Sequence, residues 1–295
     1  MMRHTCVIYH ANCVDGFTAA WVAWKNGLKT EEGPVTYISA NYGDPVPMME
    51  EDSDVYILDF SYPGAQLEAI QDRSRSLIVL DHHKTAEADL RDFQARALDV
   101  IEFDMGKSGA MLAWEYFFPN QSTPLLVEYV QDRDLWKFIQ PDSKAVNANI
   151  RSWPFDFESY TSIHTALEHN FGGFALEGQA ILRMNAKLVD DMVQRPTIVA
   201  AKDSGQRFLA VNASVLFSEA ADELLKRNPS EKVAGYWFDR GDGKRQWGLR
   251  STPDYDCSVL AKALGGGGRA QASGFTEDGA WQKVIRIGKA EDAGK

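Results

Sequence analysis

The sequence predicts an α/β protein with a mostly parallel, doubly wound sheet, a connecting helix and a second, smaller α/β domain. In the first half of the chain, short apolar runs typical of buried strands alternate with segments of helical periodicity. After Pro196 the pattern changes to closely spaced strand-like runs with two helical segments between them. The length of 295 residues suits about two domains at ~100–200 residues each.

The strands predicted for the first domain are apolar runs rich in β-branched residues, at residues 5–10, 35–39, 54–59 and 76–81. A helix is predicted after Gly16, with Gly27 as its C-terminal stop. Further helices are predicted from about Ala65, from Ser108 as an N-cap, and over residues 125–138.

A long helix before Pro196 is predicted to connect the two domains. Ile181, Met184, Leu188 and Met192 recur at intervals of three and four residues, which is typical of a packing stripe on one helix face. The predicted organisation is a catalytic domain at 1–172, a connecting helix at 173–195 and a substrate-binding domain at 196–295.

Composition and charge exclude several classes of protein. No apolar run approaches the ~18 residues that cross a bilayer, and the run over residues 6–9 is too short for a signal-peptide core. Three cysteines do not form a disulfide framework, so a reducing cytoplasm is the expected location. The net charge of −11 repels long polyanions, so long duplex nucleic acid is not expected, whereas a short phosphorylated substrate is compatible with it.

Residues that can bind a metal ion lie at the ends of three predicted strands or directly after them. They are His10, Cys13 and Asp15 for the first strand, Asp59 for the third, and Asp81, His82 and His83 for the fourth. Taken singly, such residues are commonly turn, cap or core residues. Because ligands bind beyond the carboxyl ends of parallel strands, the combination predicts one shared site. Crowded carboxylates repel one another unless a cation neutralises them, and Asp and His suit Mn²⁺, Mg²⁺ or Zn²⁺. Two such ions clamp a phosphoryl group and generate a hydroxide nucleophile, so metal-assisted phosphoester hydrolysis is predicted.

The segment MGKSG (105–109) has a different explanation. A P-loop needs a glycine five residues before the one at 106, and Ile101 stands there. The segment is therefore interpreted as a helix start capped by Ser108.

The motifs HANCVDG (10–16), LDF (58–60) and LDHHK (80–84) resemble those of the DHH phosphoesterase superfamily. The later runs WGLRST (247–252) and DYDCSVLAKALGGGGRAQASGF (254–275) resemble its usual companion, the DHH-associated substrate-binding domain. The resemblance covers nearly the whole chain in the family's order. It implies a phosphohydrolase that generally uses manganese, in a family of nano-RNases, single-strand exonucleases, cyclic-dinucleotide phosphodiesterases, exopolyphosphatases and inorganic pyrophosphatases.

The resemblance implies a role for each residue of the site. Asp59 would bridge two metals, and Asp15, His82 and an aspartate after the LLVEYV helix would complete one metal site. Asp132 fits that last position best, with Asp134 as the alternative.

His10 and Cys13 would belong to the other metal. His83 would face the substrate phosphate and donate a proton or hydrogen bond, while Asp81 would orient the site. His83, Asp81 and Asp59 are thus the predicted catalytic residues, and Mn²⁺ is the expected cofactor, as one ion or two, with Mg²⁺ or Zn²⁺ as alternatives.

Two residues depart from the family pattern. Cys13 replaces the first aspartate of an Asp-x-Asp-Gly motif, and a thiolate favours zinc or iron over manganese. If its thiol stays protonated, the first site keeps only His10 and Asp59 as ligands. Arg269 replaces a histidine in the glycine motif, and arginine remains a strong phosphate ligand.

The C-terminal motif is predicted to bind a substrate phosphate. A glycine turn lets backbone N–H groups approach phosphate oxygens, although four consecutive glycines are also compatible with a flexible linker. The predicted substrate-binding residues are Arg250, Ser251, Gly266, Gly267, Gly268 and Arg269.

The preferred substrate is a short oligonucleotide cut from one end, or a small bisphosphorylated nucleotide. Within the family, the alternatives are a polyphosphatase and a cyclic-dinucleotide phosphodiesterase. From another class, the alternative is a weakened member that binds nucleotides without hydrolysing them, which Cys13 favours.

Overall fold

A computed structural model describes residues 4–28 and 33–289 of the chain. The chain divides into two compact units, one ending at Leu182 and the other beginning at Arg183. That boundary lies inside a long helix, Phe171–Val193, which overlaps the residues 173–195 for which a helix was predicted.

The first unit contains a sheet of five parallel strands in the order β2-β1-β3-β4-β5. The strands are β1 (Thr5–His10), β2 (Val35–Ala40), β3 (Ser53–Leu58), β4 (Ser74–Asp81) and β5 (Val100–Phe103). The prediction of a mostly parallel α/β sheet is confirmed, and the first four strands are those predicted. The sequence pattern missed β5, which is only four residues long and half-buried.

Eight helices accompany this sheet within the described residues. They are α1 (Val14–Asn26), α2 (Gly64–Arg73), α3 (Lys84–Asp89), α4 (Gly109–Phe117), α5 (Leu125–Asp134), α6 (Ser143–Ile150), α7 (Phe157–His169) and α8 (Phe171–Val193). The predicted caps form: Ser108 Oγ accepts a hydrogen bond from the Met111 N–H, and Gly27 ends α1 in a left-handed conformation. Helix α5 ends four residues before the predicted 138.

Successive strand residues point to opposite faces of the sheet, and helices cover both faces. On one face Val7 and Leu58 pack with Trp21 of α1 and with α4. On the other face Ile8 and Ile57 pack with residues of α2. This is the doubly wound arrangement that the alternation of strands and helices predicts.

The second unit contains a seven-stranded mixed sheet in the order β10-β11-β9-β8-β7-β6-β12. Its elements are β6 (Thr197–Ala201), β7 (Arg207–Asn212), α9 (Phe217–Arg227), β8 (Val233–Asp239), β9 (Lys244–Ser251), α10 (Cys257–Ala263), β10 (Gly267–Arg269), β11 (Ala272–Asp278) and β12 (Val284–Lys289). Two of the four consecutive glycines lie in β10 and pair with β11, so this segment is ordered structure and not a linker.

Within residues 4–28 and 33–289, no helix combines the length and the apolar composition that crossing a bilayer requires.

Candidate metal centre

The strand order of the first unit places a crevice between β1 and β3. The chain leaves β1 for β2 on one side and returns to β3 on the other, so the direction of winding reverses there. Open α/β sheets bind ligands at such a point, beyond the carboxyl ends of the strands. His10 is the last residue of β1 and Asp59 directly follows β3, so both side chains arise at this crevice.

Two groups of potential metal ligands meet at Asp59. In the first group, one donor atom each from His10, Cys13 and Asp59 lies within 4.8 Å of the others. His10 Nδ1 is 3.4 Å from Asp59 Oδ2. A related set adds His83 to Asp59 and His82 within the same limit.

The second group consists of Asp15, His82 and Asp134. His82 Nε2 lies 3.7 Å from an oxygen of Asp15 and 3.7 Å from an oxygen of Asp134. The same nitrogen lies 3.1 Å from Asp59 Oδ1, so Asp59 borders both groups, as a bridging carboxylate must.

The N-terminus of α4 holds the carboxylate of Asp15. The backbone N–H groups of Gly109 and Ala110 donate to its two oxygens, at 2.7 and 3.0 Å. Gly109 is needed there, because a Cβ at this position would lie 2.5 Å from Cβ of Asp59. Helix α4 therefore approaches the site closely and fixes one ligand through its unsatisfied N–H groups.

The orientation of His82 is set by a backbone carbonyl. Its Nδ1 lies 2.6 Å from the carbonyl oxygen of Lys107, which can only accept. Nδ1 therefore carries the proton, and Nε2 faces the carboxylates. A histidine held in this way is typical of metal ligands.

Asp81 supports the adjacent histidine pair. Its Oδ1 accepts hydrogen bonds from the backbone N–H groups of His82 and His83, and it lies 2.7 Å from Nδ1 of the His83 ring. Asp81 is fully buried, whereas the His83 side chain is 16% exposed. Asp81 thus orients the ring of His83, and part of the His83 side chain remains exposed to solvent.

The structure brings Asp134 into the cluster and keeps Asp132 out of it. The two carboxylate oxygens of Asp132 accept hydrogen bonds from the N–H groups of Ile139 and Gln140, at 2.9 and 3.2 Å. Asp132 therefore ties down the loop that follows α5. This reverses the preference drawn from the sequence, in which Asp132 was the ligand and Asp134 the alternative.

Helix periodicity contains the signal that distinguishes the two aspartates. Leu126 and Val130 are buried on one face of α5, and Asp134 continues that face at the next interval of four residues. Asp132 lies on a different face.

The pKa values of Asp15 and Asp59 are shifted in opposite directions, as expected where several carboxylates are buried close together. Burial raises the pKa of Asp15 well above its usual range, and the charges of Asp59 and Asp134 raise it further. Burial also raises the pKa of Asp59, but hydrogen bonding and attraction from His10 and His82 outweigh it and hold that pKa well below the usual range.

The pKa values of the histidine and the thiol respond to the same carboxylates. Burial lowers the pKa of His82, but Asp59, Asp15 and Asp134 together raise it to about 9. Burial raises the pKa of the Cys13 thiol well above its usual range, and the nearby carboxylates add to the effect. Without a cation, the site therefore holds its protons tightly.

The donor set fits a divalent metal ion. Both oxygens of Asp59 and Nδ1 of His10 are buried. Within the described part of the chain, these atoms lie close to one another and to His82, but without the alignment of a regular hydrogen bond. Buried polar atoms left in this way are typical of a site that binds an ion. A cation would satisfy them, neutralise the carboxylates and replace the protons that the cluster otherwise retains.

The residues predicted to bind phosphate lie together in the sheet of the second unit. Arg250 of β9 pairs with Ala272 of β11, and Ala272 pairs with Arg269 of β10. Directly paired residues point to the same face, so both arginines arise on one face with a small side chain between them. At ~4.8 Å between neighbouring strands, their backbones are about 10 Å apart.

Arg250 and Ser251 of the GLRST run (248–252) make hydrogen bonds within this unit. The guanidinium of Arg250 donates to the Leu249 carbonyl and to Ser218 Oγ. Ser251 Oγ donates to the carbonyls of Tyr255 and Ala270, so it fixes the loops beside the arginines. Of the predicted glycines, Gly267 and Gly268 form β10 with Arg269, and Gly266 directly precedes it.

Fold and site together define an α/β protein with buried clusters of carboxylate and histidine that can bind a metal ion. No family model matches the chain. Over 98% of its length, the chain is 28% identical to the uncharacterized protein R106 of Acanthamoeba polyphaga mimivirus, of which 70% is covered.

Two solved structures illustrate the likeness in fold. The pGpG-specific phosphodiesterase PggH of Vibrio cholerae is 13% identical, with a TM-score of 0.49, covering 98% of this chain and 95% of that one. An exopolyphosphatase-related protein from Bacteroides fragilis is 15% identical, with a TM-score of 0.44, covering 93% of this chain and 86% of that one. At these low similarities, the function has to be argued from the side chains of the site.

Proposed function

We propose that this chain is a metal-dependent phosphohydrolase of the DHH type. Its proposed substrate is a short oligonucleotide or a small bisphosphorylated nucleotide. The observation that carries the proposal is the position of Asp59: it belongs to the group His10–Cys13–Asp59, and its Oδ1 lies 3.1 Å from Nε2 of His82 in the group Asp15–His82–Asp134. The resemblance of the motifs around these residues to the DHH phosphoesterases supports the same assignment.

Asp15, Asp59, His82 and Asp134 would hold one divalent ion, and His10, Cys13 and Asp59 would hold a second. A divalent ion bound there supplies a Lewis acid for a phosphoryl oxygen and lowers the pKa of water. The N–H groups at the start of α4 keep Asp15 in place, and the Lys107 carbonyl keeps Nε2 of His82 directed at the carboxylates.

His83 is the residue proposed to contact the substrate phosphate. Its Nδ1 faces Asp81, which leaves Nε2 for the substrate. Because Asp81 accepts from Nδ1 and fixes the plane of the ring, Nε2 can be directed at a phosphate oxygen for a hydrogen bond, or at a leaving oxygen for proton transfer. Asp81 acts through His83 and is a positioning residue.

The metal preference is proposed to differ between the two groups. The second group offers carboxylates and one imidazole, a donor set that suits Mn²⁺. The first offers a thiol that must lose its proton before it binds, and its raised pKa makes that loss unfavourable. Zn²⁺ offsets the free energy of deprotonating the thiol better than Mn²⁺ does, because thiolate is a soft ligand that binds Zn²⁺ more strongly.

Cys13 also favours a second candidate function, a protein that binds nucleotides without cleaving them. A first group weakened by its thiol would leave only one tightly bound ion. Turnover assays separate the two candidates, because binding alone yields no product.

The test is a substrate panel with the chelated protein reloaded with Mn²⁺, Mg²⁺ or Zn²⁺. The panel contains a 5′-phosphorylated dinucleotide, a 3′,5′-bisphosphorylated nucleoside, a cyclic dinucleotide and polyphosphate, with products identified by mass. Mononucleotide or orthophosphate release that requires the ion supports the proposal.

Asp59→Ala is the matching variant, and Asp89→Ala is its control because Asp89 is an exposed aspartate in the same unit. The expected loss in Asp59→Ala is several orders of magnitude, with the control unchanged. Undiminished turnover in Asp59→Ala, or in excess chelator, would refute the proposal.

A further inference from the structure

An exposed aromatic residue borders the metal centre. Tyr42 follows β2 and is 47% exposed, yet its ring contacts two histidines of the cluster. The centroid of its ring lies 5.7 Å from that of His10 and 5.6 Å from that of His83, with the planes nearly perpendicular in both pairs. The sequence pattern gave no reason to single out Tyr42, since it lies outside the motifs at the strand ends.

The backbone that carries Tyr42 is a tight, cross-braced turn. The carboxylate of Asp44 accepts a hydrogen bond from the Asn41 N–H at 2.7 Å, and the Asp44 N–H donates to the Asn41 carbonyl at 3.1 Å. Gly43 supplies the left-handed conformation that the turn requires, with φ at +88°. An aromatic ring on such a turn is held in place before any ligand arrives, which lowers the entropic cost of using it for binding.

Packing of the site histidines does not account for the exposure of Tyr42. Phe60 is fully buried and stacks on His10, with centroids 6.1 Å apart, so the core already supports that ring. Tyr42 adds an apolar surface on the solvent side of His10 and His83. An aromatic surface in contact with the proposed phosphate-binding histidine lies within the span of one nucleotide from the reacting phosphate.

We propose that Tyr42 binds a nucleobase of the substrate by stacking, and that this contact makes the site select nucleotides over ring-free phosphates. The inference rests on the proposed function and deepens it, because it identifies the base as a recognised part of the substrate. Every base has a π-face, so stacking on Tyr42 tolerates any base sequence. Polyphosphate has no ring and gains nothing from this contact.

The test compares pApA with two abasic analogues. In each analogue, the base of one of the two nucleotides is replaced by hydrogen. kcat/KM is measured with the ion that the substrate panel identifies. Base–aromatic stacking predicts a preference of about 5- to 150-fold for pApA over at least one of the abasic analogues.

Three variants of Tyr42 separate stacking from structural support. Tyr42→Ala should remove the preference by lowering kcat/KM for pApA while the abasic analogue changes little. Tyr42→Phe should keep the preference, and Tyr42→Leu, which retains apolar bulk against the histidines, should lose it. Met48→Ala is the matched control on the same surface segment, since Met48 is 95% exposed.

The outcomes are distinct from those that test the proposed function. Equal losses on both dinucleotides in Tyr42→Ala, or no preference in the unaltered protein, would overturn the role of Tyr42 while leaving hydrolysis established. If none of these dinucleotides is cleaved, the oligonucleotide substrate of the proposed function fails instead. Equilibrium binding of the same dinucleotides, measured by calorimetry, then tests Tyr42 by itself. Stacking is supported if the unaltered protein binds pApA more tightly than an abasic analogue and Tyr42→Ala does not. Stacking is refuted if the unaltered protein shows no such preference or if Tyr42→Ala retains it.

Discussion

Nδ1 of His82 lies 2.6 Å from the carbonyl oxygen of Lys107. Lys107 belongs to the segment MGKSG (105–109), which contains the Gly-Lys-Ser run of a P-loop but lacks the glycine that a P-loop has five residues earlier. Its role in the structure is different, because its backbone carbonyl fixes the protonated nitrogen of a proposed metal ligand and Ser108 next to it caps α4. The segment thereby orients two ligands, His82 directly and Asp15 through the helix N-terminus.

The two aspartates near the end of α5 should respond differently to removal. Asp134→Ala removes a proposed ligand, so we expect manganese affinity to fall by at least tenfold while the thermal stability of the metal-free protein is retained, since a neighbouring negative charge is lost. Asp132→Ala leaves the N–H groups of Ile139 and Gln140 without their acceptor, at a cost of about 1–3 kcal/mol of folding free energy.

Calorimetric metal titration and thermal denaturation of both variants check this prediction. Loss of metal binding in Asp132→Ala, with binding intact in Asp134→Ala, would restore the preference drawn from the sequence.

Cys13 should weaken binding of a hard ion at the first group. Cys13→Asp replaces a thiol of raised pKa with a carboxylate, so we expect tighter Mn²⁺ binding at a second site and a smaller preference for Zn²⁺. Cys13→Ser is the matched control, because it keeps the size of the side chain and supplies no thiolate. Two tight Mn²⁺ ions in the unaltered protein, unchanged by Cys13→Asp, would show that the thiol is not involved.

Arg269 should contribute to binding a phosphate other than the one that reacts. A charge-assisted contact of this kind contributes about 1.5–3 kcal/mol, so Arg269→Ala should lower kcat/KM for an oligonucleotide by ~10–100-fold. A simple aryl phosphate should be barely affected. Arg286→Ala is the control, since Arg286 is exposed on β12 at the opposite edge of the same sheet. A similar loss on both substrates would argue against a separate phosphate contact.

Asp99 should make stability depend on pH. Burial raises its pKa, but hydrogen bonds from Arg96, Gln71 and the Leu77 N–H outweigh this and lower the pKa below its usual value. The stabilisation is therefore present above the unfolded-state pKa of about 3.9 and is lost as the pH falls through the lower folded-state pKa.

Asp99→Asn should therefore cost about 1–3 kcal/mol at pH 7 and progressively less below pH ~4, where Asp99 becomes protonated first in the unfolded chain and, at lower pH, in the folded protein. Urea unfolding at a series of pH values measures this, with Asp92→Asn as an exposed control. A difference that stays constant down to pH 2 would mean that the charge of Asp99 contributes nothing.

The sequence was most informative where one physical signal dominated. Buried parallel strands are nearly continuous apolar runs, so β1 and β4 were predicted with their terminal His10 and Asp81 in place. Knowing that strand ends meet at one edge was then sufficient to expect His10, Asp59 and His82 together.

The remaining features depend on contacts between distant parts of the chain. The residues over 141–169 have no clear helical periodicity in the sequence, yet they form α6 and α7. Val146 of α6 and Tyr160 of α7 are buried in the same core cluster as Trp21 of α1. Asp132 and Asp134 are both acidic residues on one helix. Periodicity puts Asp134 on the face of Leu126 and Val130, but only the packing of α5 against α1 and α4 determines that this face reaches His82. Tyr42 acquires its neighbours through a turn whose direction the sequence pattern does not encode.

Asp59 adopts a left-handed backbone conformation, with φ at +64°, directly after β3. That conformation costs a residue with a side chain about 1 kcal/mol relative to glycine, and the bond from its N–H to the Leu80 carbonyl helps to hold it. Glycine at position 59 would therefore suit the fold better than aspartate does, at the expense of the metal site. In a copy of this protein no longer under selection for activity, Asp59 should be replaced early, because fold stability favours glycine at this position whereas metal binding requires the carboxylate.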